Sequence, residues 1–317
     1  MALFGVPSLA CERVMAELHL LAPPPWSEYE LLDTGNGAKF ERFGAYTLVR
    51  PETQAIWRPQ LAEREWQRAD AVFEKPKGGE DSPGQWLQRR PLPDQWQMHH
   101  NNLTFWVRPT PFRHTGVFPE HSAHWAWLGQ QIASRREPTA LVLFGYTGLS
   151  SLYAAACGAR VTHVDASKPA IRWAQDNQQL SGLGERSLRW LVDDVGKFIA
   201  REIRRGSRYD LILMDPPVFG RGPKGEIWRL HEQLTGLVEQ CVQLLSERPL
   251  GLLLSAYATN MSALTLHNVL AAAMTGRAGT TSAGELVLRE QQTERLLPAA
   301  LYACWSSGKQ PHVCEGA

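Results

Sequence analysis

The chain has 317 residues, with 33 Lys and Arg against 32 Asp and Glu for a formal net charge of +1. That length gives ample surface to bury in one large domain or two small ones, and the neutral balance excludes a globally basic nucleic-acid binder, so any RNA-facing surface is a local patch. No run reaches the length of an apolar membrane span, and the five cysteines lack metal-site or C-x-x-C spacing.

Residues 1–26 lack the charged start, apolar core and cleavage site of a signal peptide and are expected to be an N-terminal extension. From Pro23-Pro24-Pro25 onward the pattern turns to strands. Residues 29–33 and 39–43 flank Thr34-Gly35-Asn36-Gly37, a hairpin with glycine turn chemistry. Further strands are expected at 46–49 and 103–107, with a polar loop rich in Gly and Pro over 75–84. Residues 27–110 thus form a small β-rich domain. Eight of the chain's Trp residues precede Thr139, which favours packing between this domain and the next. A helix carrying Trp125, Leu128 and Ile132 on one face follows. The histidines near it (His99, His100, His114, His121 and His124) have no carboxylate at zinc-site spacing, so no metal is expected.

Residues 139–165 organise the rest. Residues 140–144 are a short apolar run suited to a strand buried on both faces. The turn Gly145-Tyr146-Thr147-Gly148 leads into Leu149, Leu152, Ala155 and Ala156 at helical spacing, ended by Gly158. A second buried strand, 161–164, delivers Asp165. Such a βαβ unit binds its ligand at the carboxyl ends of the strands, with an acid poised for a ribose. Dinucleotide binding wants G-x-G-x-x-G, but here Tyr146 stands where a phosphate would need open backbone. A nucleoside cofactor without phosphate fits better, and S-adenosylmethionine is the common one.

Beyond Asp165, helices are expected at 169–180, 197–205, 226–245 and 263–274, with strands at 188–192, 209–214, 250–255, 284–290 and 297–305. This alternation over residues 111–317 predicts an α/β, Rossmann-like and mostly parallel sheet. The closing pair of strands, joined by a short polar link, predicts an antiparallel edge strand. Lys197, Arg201, Arg204 and Arg205 are expected on a solvated helix face. Cys157, Cys241 and Cys304 lie in apolar segments, as reduced core thiols do, which points to the cytoplasm. Nothing in the sequence specifies an oligomeric state.

Together these residues resemble the bacterial class I S-adenosylmethionine-dependent methyltransferases grouped with the large-subunit ribosomal RNA methyltransferases. The resemblance runs from Lys39-Phe40-Glu41-Arg42-Phe43-Gly44 to the final strand. Its most specific part is Asp215-Pro216-Pro217-Val218-Phe219-Gly220-Arg221-Gly222-Pro223-Lys224-Gly225. It implies that Phe144, Gly145, Tyr146, Thr147 and Gly148 wrap the methionine and ribose of the cofactor. Asp165, with Ala166 beside it, would hold the ribose hydroxyls. Asp194 would meet the adenine amino group, with the Val195 N–H beside the ring. Thr115, Gly116 and Glu120 would close over the cofactor.

Two departures bear on the reaction. Val142 stands where such enzymes usually place Asp or Asn, and Ala256 lies where cytosine-C5 members place a cysteine. Carbon-5 of a pyrimidine becomes nucleophilic only after a thiolate adds to carbon-6. A ring or exocyclic nitrogen attacks the sulfonium methyl directly, which needs alignment more than acid–base power. Asp215 and Pro216 offer a rigid turn for an amino group, and Phe219 can stack on a planar base. Arg221 and Lys224 could meet phosphates. The expectation is methyl transfer to a base nitrogen of structured ribosomal RNA. The alternatives are a protein or small-molecule acceptor, or a cofactor-binding regulatory protein without turnover.

Overall fold

A computed structural model describes residues 18–74, 83–257 and 259–308. Cys11, Cys314 and most of the expected 75–84 loop lie outside them. The large sheet has eight strands, numbered in chain order as β1 (Leu18–Leu21), β2 (Thr139–Leu143), β3 (Arg160–Asp165), β4 (Leu188–Val192), β5 (Leu211–Met214), β6 (Gly251–Tyr257), β7 (Thr280–Arg289) and β8 (Leu296–Ser306). Their spatial order is β1-β7-β8-β6-β5-β2-β3-β4. Every pairing is parallel except the two made by β8.

The period-2 alternation of the central strands explains why helices cover both faces. Leu141, Leu143, Ile212, Met214, Leu252 and Leu254 point to one side. There they meet Phe198 and Ile199 of the helix Val195–Arg205, Leu234 and Val238 of Leu230–Gln243, and Leu266 and Leu270 of Ala263–Ala273. Ala140, Val142, Leu211, Leu213 and Leu253 point to the other. They pack on Trp127, Leu128 and Ile132 of the helix Trp125–Ala133 and on Ala154 and Ala155 of Leu149–Ala156. Burying each of these leucines removes it from water at about 1.5–3 kcal/mol. The strand order reverses between β2 and β5, and ligands of doubly wound sheets bind outside the carboxyl ends at such a point.

Five strands, Tyr29–Gly35, Ala38–Phe43, Tyr46–Pro51, Ala71–Glu74 and Gln85–Gln88, form a separate sheet in sequence order. The first hairpin turns through Asn36 (φ 51°) and Gly37 (φ 76°), the positive-φ pair that matches strand twist. A second hairpin pairs Trp96–His100 with Leu103–Val107. Tryptophans pack where this region meets the large sheet: Trp26 stacks on His100 at 3.8 Å and Trp125 on Tyr153 at 4.8 Å.

Three features differ from the sequence expectation. Instead of a plain extension over residues 1–26, Leu18–Leu21 adds a parallel strand to β7, where Gly284 lets the chain approach; a Cβ there would lie 1.7 Å from the His19 carbonyl oxygen. The antiparallel strand β8 lies inboard, because β7 and β1 continue the sheet beyond it. Cys157 is exposed at the end of its helix, since its segment is apolar in composition but ends the buried face; Cys241 and Cys304 are buried. Among the described residues no helix is long and apolar enough to cross a membrane.

Candidate functional site

After β2 the backbone turns through two non-glycine residues at positive φ, Phe144 (55°) and Tyr146 (51°). Such strain persists only where the surroundings over-determine it. Here the Thr147 hydroxyl donates to the Gly116 carbonyl (2.6 Å), and Asn177 Nδ2 donates to the Thr147 carbonyl (3.0 Å). A Cβ on Gly145 would lie 2.3 Å from the His163 ring, so the turn lies flat on β3. Gly148 serves packing too: a Cβ there would lie 2.9 Å from Ala174 and Trp190.

That position brings the Tyr146 N–H to Asp165 Oδ2 at 2.9 Å, while the Ser167 N–H donates to Oδ1 at 2.8 Å. Each oxygen keeps a lone pair for a further donor. Burial raises the Asp165 pKa, and the two amides oppose it. Asp194 caps the helix Val195–Arg205, its Oδ1 accepting the Lys197 N–H at 2.9 Å. The Val195 N–H is one of the first-turn donors that a helix leaves without an intrahelical partner.

β5 ends in Met214 and presents Asp215. Ser255, at the end of β6, donates its hydroxyl to Asp215 Oδ1 at 2.7 Å, and His121 Nε2 lies 3.4 Å from Oδ2. Burial works against both charges. The pair overcomes it, holding Asp215 below its ordinary value and lifting His121 to about 9, with Glu120 adding to the lift. Beyond the prolines, Phe219–Arg221 pairs with Ile227–Arg229 in a short hairpin. Trp228 anchors it, donating Nε1–H to the Pro217 carbonyl (2.6 Å) and packing on Phe144 at 5.3 Å. Phe219 is 45% exposed.

These elements enclose a cleft of about 880 Å³, roofed by Pro51 and Phe73 of the small sheet. Phe144, Tyr146, Asp165, Ala166, Asp194, Val195, Asp215, Pro216, Phe219 and Arg221 all line it. Gly116, Gly145 and Thr147 line a smaller chamber of about 80 Å³ behind the turn. Four expected site residues line neither. Gly148 is taken up by packing, and Lys224 is exposed on the hairpin. Thr115 is fully buried and its hydroxyl has no partner among the described residues. Glu120 faces a separate recess with Lys39 and Arg50. The reason is the 3-10 turn Pro119–His124, which sets successive side chains about 120° apart. It turns His121, not Glu120, into the smaller chamber beside Asp215. His121, Phe118, Tyr257 and Trp228 were not anticipated as site residues; only the density of histidines around His121 marked it.

A ribose-type acid after the second strand, a capping acid at the next helix and a cleft in the 300–1,000 Å³ range suit a nucleoside ligand. The residues therefore fit S-adenosylmethionine: Asp165 would hold the ribose diol, and Asp194 with the Val195 N–H would hold the adenine edge. The fold and site define a nucleoside-binding, doubly wound α/β protein.

Residues 63–268 match the family model described as S-adenosylmethionine-dependent methyltransferase. The chain belongs to that family, which is defined by its use of S-adenosylmethionine. It is similar to the solved S-adenosylmethionine-dependent methyltransferase from Agrobacterium tumefaciens, with 43% identity and a TM-score of 0.87 over 94% of this chain and 98% of that one. It is also 27% identical to ribosomal RNA large subunit methyltransferase K of Neisseria meningitidis serogroup B, over 67% of this chain and 61% of the relative. With ribosomal RNA large subunit methyltransferase K/L of Desulfotalea psychrophila it shares 32% identity, over 54% of this chain and 23% of the relative. The chain thus spans less than two thirds of the length of these curated relatives.

Proposed function

We propose that the protein methylates a base nitrogen in structured RNA, ribosomal RNA foremost, in the cytoplasm. The observation that carries this reading is the Asp215 carboxylate, held ionised by His121 and Ser255 in a cleft with an exposed aromatic ring beside it. S-adenosylmethionine, when bound, supplies an electrophilic methyl on a cationic sulfur. Asp215 accepts an N–H of the acceptor and sets the direction of attack, which is the main requirement when the leaving group is already activated. Phe219 supplies a face for a planar base. Phe118, Tyr146, Trp228 and Tyr257 line the walls and exclude water.

Carbon-5 chemistry is disfavoured because no described cysteine lines the cleft, and burial pushes the Cys241 and Cys304 thiols up, away from the thiolate. RNA is favoured over protein because the curated relatives are ribosomal RNA methyltransferases. Arg221 and Lys224, which follow the turn, have no ion-pair partner among the described residues and are free to meet phosphates. By contrast Lys197, Arg201 and Arg205 are engaged by Glu226, Asp193 and Glu202.

The test is transfer of labelled methyl to ribosomal RNA from a strain lacking the protein, followed by mass spectrometry of the nucleosides. An N-methylated base restored by the protein is the expected result. Label resisting nuclease and released by protease would move the acceptor to protein. Absence of S-adenosylhomocysteine with every acceptor would leave a regulatory binder.

A further inference from the structure

The charged side chains of the cleft are unevenly used. Its carboxylates, Asp165, Asp194 and Asp215, each have a task in the reading above. Its arginines, Arg113 and Arg221, have no ion-pair partner among the described residues. Arg221 lies on the hairpin after the acceptor turn. Arg113 comes from a different part of the chain, the turn 110–114 between the hairpin Trp96–Val107 and the 3-10 turn Pro119–His124.

That turn is tied down at several points. The Thr110 N–H donates to the His114 carbonyl at 3.1 Å and closes it. From beside the strand Gln85–Gln88, Trp86 Nε1–H donates to the Thr110 carbonyl (2.8 Å) and the Gly84 N–H to the Pro111 carbonyl (2.8 Å). Arg50 Nη1 donates to the Arg113 carbonyl at 3.3 Å. Arg113 itself sits at φ 62°, which a non-glycine residue keeps only where its surroundings over-determine it. Its guanidinium meets the large sheet: Nη2 donates to the Tyr257 hydroxyl at 3.1 Å, with Cζ 5.9 Å from that ring's centre. Tyr257 ends β6 two residues after Ser255, so the strand period puts both side chains on one face. The strand end that holds Asp215 therefore also holds Arg113.

The cations behind this turn are already answered: Lys39 by Glu52 at 3.3 Å and Arg50 by Glu41 at 2.7 Å. Burial, with Arg50, Arg113 and Lys39 nearby, pushes the His114 pKa down to about 3 and keeps that ring neutral. Arg113 is the charge left over, half-buried, with more N–H donors than Tyr257 can use. Beside it Phe112 is 56% exposed and lines the same cleft. An exposed ring next to an unpaired cation is the combination that holds single-stranded nucleic acid, the ring taking a base and the cation a phosphate. We propose that the turn 110–114 is a second wall of the acceptor site, where Arg113 pairs with a backbone phosphate of the RNA and Phe112 stacks on a base next to the one presented to Asp215. This rests on the RNA reading above.

The experiment measures methyl transfer by the full chain to ribosomal RNA from a strain lacking the protein, over a series of KCl concentrations. Donor affinity and melting are followed alongside. Each phosphate contact on a single strand adds about 0.7 to the slope of log affinity against log salt. R113Q removes the charge and keeps a hydrogen-bonding group for Tyr257. It is expected to raise the RNA KM by about tenfold at low salt, more than it changes kcat, and to make the salt slope shallower by about 0.7. R113K should restore the slope. F112A should raise KM by about fivefold or more at the wild-type slope, because stacking carries no charge. A slope unchanged in folded R113Q overturns the proposal even where KM rises. So does a loss of donor affinity that matches the rise in KM, which would assign Arg113 to the donor. A wild-type KM in F112A removes the stacking contact. If the wild type methylates no RNA, the RNA reading fails and the proposal falls with it; if it methylates RNA and R113Q keeps the slope, that reading stands and only this wall is lost.

Discussion

Asp165 and His121 show what a sequence does and does not display. Asp165 was legible because it ends a buried apolar run after a Gly turn, and strand geometry alone delivers it to the carboxyl edge. D165A is expected to weaken S-adenosylmethionine binding by about 1.5–3 kcal/mol, the range for a hydrogen bond to a charged group. Unchanged calorimetric affinity in a folded variant would remove Asp165 from the site. His121 was not legible, because its meeting with Asp215 depends on a 3-10 turn and on a partner 94 positions away in sequence. Its consequence is a pH dependence. The His121 pKa is raised to about 9 in the folded chain, from about 6.5 in a free side chain. The stability it contributes is therefore full below about pH 6.5 and is lost as pH rises through about 9. Asp215 has the opposite sign: its contribution is present above its unfolded value near 3.9 and fades as pH falls through its lower folded value. The pair is thus strongest at pH 5 to 6. The stability gap between wild type and H121N, followed by urea melts, should narrow from pH 6 to pH 9.5. A gap that stays constant across that range would mean the ring acts by packing alone.

At the scale of elements, the turn after β5 and its hairpin separate binding from chemistry. Trp228 fixes the hairpin to the Pro217 carbonyl and to Phe144, so its position follows the cofactor turn, while Phe219 projects into the open cleft. F219A should remove a stacking surface of about 1–3 kcal/mol per base, raising the acceptor KM more than it changes donor affinity. D215A should instead lower kcat, because an aligning contact matters chiefly in the transition state. If both variants lose melting temperature and donor binding together, the turn is scaffold. The strands and helices behind this site were legible from apolar runs of the right length, as at residues 140–144 and 161–164. What escaped was the hairpin Phe219–Arg221 with Ile227–Arg229: three-residue strands carry too few side chains for any period to register.

The whole molecule is less divisible than its sequence suggests. Composition separates residues 27–110 from 111–317, yet one core cluster contains Trp26, Tyr29, Phe43 and Phe105 together with Trp125, Leu149, Leu152, Leu288 and Leu297. Periodicity reports which face of an element is buried, not which distant element covers it, so this shared core was not legible. Polar contacts reinforce the junction. The Trp57 indole donates to the Thr34 hydroxyl at 2.9 Å, that hydroxyl donates to the buried Glu290 carboxylate, and Arg295 lies 3.6 Å from Glu290 and over the Trp57 ring. Removing the small sheet would expose the apolar faces of β7 and β8 and leave Glu290 without Thr34. Losing the partner of a buried carboxylate typically costs about 1–3 kcal/mol or more beyond the lost apolar burial. The intact chain is therefore expected to unfold in a single transition, and a fragment of residues 111–317 to lack cooperative melting and to bind a hydrophobic dye. A fragment that melts sharply near the temperature of the full chain, with donor affinity preserved, would show that the two regions are separate domains and that the small sheet is only a roof over the cleft.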